Sequence, residues 1–293
     1  MSIEAWFLPS MTALVFNGIV TFLPKITMRS LPILDLIVYH TLFFFLTAAG
    51  IQVFFGGIGF EPVGVMIAMA SGVAGTTGQF LYLLALKRGP LTQVSMISAL
   101  FPLVATLLAV AFLQEVLTPR QGIGILLGVG AIILLVLSRA APVTINQTTG
   151  QAEPAAYGNW ALPALGTLLA WGIWAFIPKM ALNTMTPQST LFYAAIGDIL
   201  VVLPIFFFVL RCRLHTDRKS IGITFAASTM TMLSMLAYFF ALSHGPVAVI
   251  ATLSAMYPAI TVLLARVFLK EKINRSQFIA ICIALAAIVL LAG

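Results

Sequence analysis

The chain has 293 residues, of which 61% are hydrophobic and only 8% charged, and its mean hydropathy is +1.10. A soluble domain is about one quarter charged, so this chain has too little polar material to build a water-facing surface. The net charge of +7 is no nucleic-acid signal, because the basic residues sit in short loops between apolar runs. Cys212 and Cys282 are too few and too far apart for a disulfide framework or a metal site, and no cofactor is expected.

Hydrophobic runs of ~20 residues are expected to cross the hydrocarbon as helices. In chain order they are 5–28, 33–55, 63–86, 90–113 and 119–138, then 160–181, 189–210, 222–243, 246–269 and 275–292. No cleavable leader is expected, since Glu4 stands where a basic segment belongs and no small-residue cleavage site follows. One break is long, and its polar text from Thr144 to Glu153 reads as a linker. The expected organisation is a five-helix unit over 1–139, a linker over 140–158 and a second five-helix unit over 159–293. The glycosylation triplet at Asn146 is of a kind that polar linkers produce by chance.

The second unit repeats the first. Tyr82, Gly89, Pro90, Ser98, Pro102, Phe112, Glu115 and Gln121 recur at one fixed offset as Tyr238, Gly245, Pro246, Ser254, Pro258, Phe268, Glu271 and Gln277. Further upstream, Gly18, Pro24, Lys25 and Tyr39 answer to Gly172, Pro178, Lys179 and Tyr193. Five helices is an odd number, so the expected fold is all-α, with ten transmembrane helices in two inverted repeats. The odd-numbered loops hold Arg29, Lys87, Arg88, Arg139, Arg211, Arg213, Arg218, Lys219, Lys270, Lys272 and Arg275, while the even-numbered ones hold little beyond Arg120. By the positive-inside rule both termini are then outside.

The stretches 236–249, 253–258 and 268–273 read LAYFFALSHGPVAV, LSAMYP and FLKEKI. They resemble the signature of EamA-type transporters, the bacterial exporter branch of the drug/metabolite transporter superfamily. Within that family the overall likeness is to aromatic amino acid exporters. The resemblance implies a monomeric, multi-pass inner-membrane protein whose partners are the lipid bilayer and a small-molecule substrate, with no nucleic acid. It implies a basket in which helices 1–4 and 6–9 surround a central cavity while helices 5 and 10 brace the outside. It also implies alternating access by bending of helices 3, 4, 8 and 9. The first helix departs from the pattern, with Phe16-Asn17-Gly18 where the sixth has Ala170-Trp171-Gly172, so the two sides of the cavity are lined differently.

No catalytic set is visible, and an enzyme is not expected. His40, His215 and His244 are separated, with no Cys or carboxylate at ligand spacing, so no metal is expected either. Pro102 and Pro258 stand inside helices 4 and 9, where each removes a backbone donor and kinks the helix, as a hinge or as a static bend. Glu115 and Glu271 read as membrane-boundary charges paired with Arg120 or Lys272 and capping the next helix. Ionisable groups deeper in the spans carry more meaning, because an intramembrane charge is costly. Asp198 is a candidate contact for a proton or a substrate amine, or else a structural partner of Lys179. Lys25 and Lys179 snorkel to the interface; His40 is a gate or a hydrogen-bonded packing residue.

Helical spacing places Gly75, Gln79 and Tyr82 on one face of helix 3, Ser95, Ser98 and Pro102 on one face of helix 4, and Trp171, Trp174 and Pro178 on one face of helix 6. With Tyr238 and Ser254 from the other half, these residues are expected to line a mostly apolar cavity with a few hydroxyls and amides. The expected function is export of small amphipathic metabolites, neutral or aromatic amino acids foremost. The alternative is proton-coupled efflux of drugs or organic cations through a buried carboxylate.

Overall fold

The computed structural model describes residues 4–20, 31–55, 59–88, 94, 97–137, 144–145, 152–153, 160–260, 263 and 275–291. Among them run ten α-helices: α1 (Phe7–Val20), α2 (Ile33–Phe55), α3 (Pro62–Arg88), α4 (Phe101–Leu113), α5 (Pro119–Leu137), α6 (Ala161–Ala181), α7 (Pro187–Pro204), α8 (Arg218–His244), α9 (Val247–Ala255) and α10 (Arg275–Leu291). The helices α2, α3, α6, α8 and α7 with its extension to Val209 are each long and apolar enough to cross a bilayer.

The interior is made of small residues. Ala13, Ala68, Ala105, Ala175 and Ala251 are fully buried, while Phe54, Leu107, Leu126 and Phe208 point outward. Lipid is as apolar as leucine, so helices in a bilayer associate through close approach rather than by hiding large side chains. Several interior hydroxyls are satisfied locally: Ser10, Thr167, Thr224 and Thr252 each donate to the carbonyl four residues back.

The helix contacts join the halves. The most extensive are α3 with α6 and α7, α1 with α8, α2 with α7 and α8, and α5 with α10; α4 also meets α6 and α9. They come as exchanged pairs, with α1–α9 mirrored by α6–α4. Gly18 of α1 lies against Ile260, and Gly172 of α6 lies against Val104; a Cβ at either glycine would strike that side chain. Glycine is needed at both because the helices approach so closely.

Local features differ from the sequence expectation; the span 246–269, for one, is interrupted at Met256, where α9 ends. The span 90–113 is not one helix: residues 97–99 are helical, Leu100 interrupts, and α4 proper starts at Phe101. The span 189–210 begins earlier, at Pro187, where the Thr186 hydroxyl caps α7 by accepting from the Ser189 N–H at 3.3 Å; beyond Pro204 it continues as a π-turn over Ile205–Val209. The linker carries a small antiparallel ladder that pairs Thr144 with Glu153 and Ile145 with Ala152. The triplet at Asn146 lies outside the described residues.

Candidate functional site

Four of the expected site residues meet around α6. Trp171 lies over Gly78, where no side chain intervenes, and its ring centroid is 5.2 Å from Tyr82 and 6.4 Å, edge-on, from Phe101. Trp174 lies over Gly75 and stacks on Tyr238 at 5.5 Å and 15°. Three residues along a helix turn the side chain by less than a full circle, so the two indoles share a flank of α6 yet address different neighbours. Tyr238 is 2% exposed and its hydroxyl donates to the Ala175 carbonyl at 2.9 Å, which satisfies the polar end of a buried ring. Gln79 is half-buried on α3.

The serines sit beside the helix breaks. Ser98 is buried and donates to the Val94 carbonyl at 2.8 Å; Ser254, also buried, has a hydroxyl without a hydrogen-bond partner among the described residues. Pro102 follows the interruption at Leu100 by two residues, and Pro258 follows that at Met256 by the same step. At both, the bonds tighten to i−3: Leu100 N–H to Ile97 and Leu103 N–H to Leu100, then Met256 N–H to Leu253 and Ala259 N–H to Met256. The proline nitrogen cannot bond to the carbonyl four residues back, and the helix is locally rewound.

The ionisable groups are dispersed. Asp198 on α7 accepts from the Thr76 hydroxyl of α3 at 2.6 Å. Lys179 is not its partner: its ammonium donates to the carbonyls of Leu242 at 2.6 Å and Gly245 at 2.9 Å. The last carbonyls of α8 have no donor within the helix, and an ammonium can serve two of them. His40 Nδ1 is 2.9 Å from the Ser228 hydroxyl, whose proton goes to the Thr224 carbonyl.

Glu115 neither pairs with Arg120 nor caps α5. Its carboxylate accepts from the backbone N–H groups of Val247 at 2.7 Å and Ala248 at 3.2 Å, at the start of α9. Thr118 and Gln121 cap α5 reciprocally, and Arg120 donates to the Val289 carbonyl. Lys25, Ser95, Glu271 and Lys272 lie outside the described residues.

Asp35 gains a role that its place near a helix end did not reveal. It is fully buried and accepts from the His215 backbone N–H at 2.7 Å, with His215 Nδ1 at 2.8 Å, while the Tyr39 hydroxyl donates to the His215 carbonyl at 3.1 Å. The repeat register pairs Asp35 with Ser189 and His215 with Gly59, and there the Gly59 N–H donates to the Ser189 hydroxyl at 3.2 Å. The signal was therefore in the repeat, once both loops were aligned.

Beside α2 and α8 an open apolar cavity of about 420 Å³ is lined by Leu46, Gly50, Phe54, Phe225 and Thr229 among others, and a smaller one of about 40 Å³ lies among α1, α9 and α10. The expected site residues line neither of these two.

The profile of the EamA-like transporter family matches residues 5–137 and again 158–293. An uncharacterized transporter of Helicobacter pylori is 32% identical over 42% of this chain and 41% of its own length. An uncharacterized transporter of Bacillus subtilis is 27% identical over 42% of this chain and 44% of its own. The match thus spans about two fifths of these relatives. An uncharacterized protein of Methanocaldococcus jannaschii is 28% identical over 43% of this chain but 93% of its own length. A crystal structure with 16% identity superposes with a TM-score of 0.79 over 99% of this chain and 96% of that one, so the fold is shared.

Proposed function

The chain belongs to the EamA-like transporter family, and from that premise we propose that it is a secondary transporter exporting small amphipathic metabolites, neutral and aromatic amino acids foremost. The family is one of transporters, and an enzyme reading falls with that membership. The observation that carries the substrate class is the aromatic set around α6. The half-buried rings of Tyr82, Trp171 and Trp174 offer π-faces, with the buried Tyr238 backing Trp174, and Ser254 adds a buried hydroxyl with unused hydrogen-bonding capacity. Such a lining suits a planar or apolar side chain on a small polar body.

Transport proceeds by alternating access between two inverted five-helix units, with both termini in the periplasm and the protein monomeric in the bacterial inner membrane. The exchange of helix partners between the halves supports the inverted arrangement. The paired interruptions at Leu100 and Met256 support Pro102 and Pro258 as hinges, with α3 and α8 tilting as α4 and α9 bend. One observation favours a second reading, proton-coupled efflux of organic cations: Asp198 is held by a hydroxyl and not by a counter-cation.

Proteoliposomes with a panel of labelled solutes, with and without a pH gradient, test both. Saturable uptake of aromatic or neutral amino acids that ignores the gradient is the expected result. Gradient-dependent movement of lipophilic cations, abolished by Asp198→Asn, would instead favour the second reading.

A further inference from the structure

We propose that Glu115 and Lys179 form a two-sided latch that holds the α8–α9 corner shut on one membrane face, and that its release opens the transport path there. The proposal rests on the transporter reading. The corner is the turn His244-Gly245-Pro246, where α8 ends and α9 begins. A helix end exposes carbonyls and a helix start exposes N–H groups, so such a turn presents partial negative charge beside partial positive charge. Lys179 meets the first with an ammonium, and Glu115 meets the second with a carboxylate. Each charge is thus placed on the dipole end that it complements, through charge-assisted hydrogen bonds.

Neither jaw belongs to the helices that it holds. Glu115 leaves the end of α4 and Lys179 the end of α6, one from each half of the chain. Gln114 has φ 53° and ψ 35°, a left-handed conformation that a non-glycine residue adopts at a cost. That turn carries the chain off the axis of α4 and delivers Glu115 to α9. Trp6, 3% exposed, packs against Gly245 so closely that a Cβ there would strike the indole. The corner is therefore closed from three sides.

What it closes is a rod. All nine residues of α9, Val247–Ala255, are buried, and the rod ends at the Met256 interruption. An element pinned by charge at one end and rewound at the other can swing about the second when the first lets go. Ser254 travels on it, near the interrupted end. Lys25 and Glu271 hold the matching places in the repeat register and lie outside the described residues.

The test uses Ser254→Cys in a Cys212→Ser, Cys282→Ser background, in oriented vesicles without solute. A membrane-impermeant maleimide is applied from the face that carries Trp6. Glu115→Gln is expected to raise the labelling rate from that face about tenfold, the scale of weakened hydrogen bonds to a charged group, and not from the other face. Lys179→Met does the same, and Glu115→Asp restores most of the protection. Unchanged labelling in both disruptive variants overturns the latch, and so does an equal rise from both faces, which would report general loosening. Should Glu115→Gln not fold, Lys179→Met carries the same readout alone. Because no solute is present, failure here is distinct from failure of the substrate assignment.

Discussion

The crossing of α3 with α7 and the crossing of α2 with α8 hold equivalent places in the two halves, yet they are built differently. In the first, Gly72 abuts the Ala194 carbonyl and Gly197 abuts the Met69 carbonyl, so backbone lies directly on backbone. In the second, the register puts His40 where α7 has Ala194 and Ser228 where α3 has Gly72, and the helices meet through a 2.9 Å side-chain contact. One turn along, the first crossing holds the Asp198–Thr76 pair, while the second has Phe44 and Met232 at the matching positions. The apolar cavity of about 420 Å³ lies beside the looser crossing. One layer of atoms decides the outcome: glycine gives close approach and a shielded carboxylate, and a spacer gives an open groove.

The comparison breaks first at the glycines. Gly72→Leu or Gly197→Leu drives a side chain into a carbonyl and is expected to cost about 3 kcal/mol or prevent folding. Gly50→Leu on α2, where nothing lies within 4 Å, should leave the melting point in detergent near wild type. Equal melting points for Gly72→Leu and Gly50→Leu would remove the distinction. A smaller difference separates the loop ties. Asp35→Ala loses a charged acceptor that holds His215 and should cost about 2 kcal/mol, against about 1 kcal/mol for Ser189→Ala, read by thermal unfolding.

The smallest effect concerns the helix starts, where Glu61 caps α3 and Asp217 caps α8 in register. Hydrogen bonds from the Ser220 hydroxyl and backbone hold the Asp217 carboxyl below its ordinary range. A lowered folded value means that the stabilisation is present above the unfolded pKa and is lost as pH falls through the folded one. The melting point should therefore decline below about pH 4, and Asp217→Asn should flatten that decline slightly. A steeper decline in the variant would contradict the sign.

Much of this was legible in the residues. The fixed offset of Tyr82, Pro102 and Glu115 exposed the duplication, and α2 and α6 fall within a residue of the apolar runs that announced them. The aromatic stripe was visible in the spacing of Trp171 and Trp174, but not that one indole meets Tyr82 and the other Tyr238, because that depends on which helices flank α6. The prolines marked the bends, although the interruption falls two residues earlier, where the tighter turn can form. Polar partners were the weakest ground. Lys179 and Glu115 bind backbone groups at the ends of distant helices, and a helix end has no sequence signature that names its partner.

The exchange of partners between the halves has a consequence for how the protein is made. When α5 leaves the ribosome, α1 has yet to meet α8, α3 has yet to meet α6 and α7, and α5 itself awaits α10. At ~5–20 residues per second the remaining ~150 residues take about 8–30 s to emerge. For that interval the glycine face of α3 lies against lipid or an insertion factor instead of α7. A message truncated after α5 would release helices that lack the extensive partners they have in the whole protein.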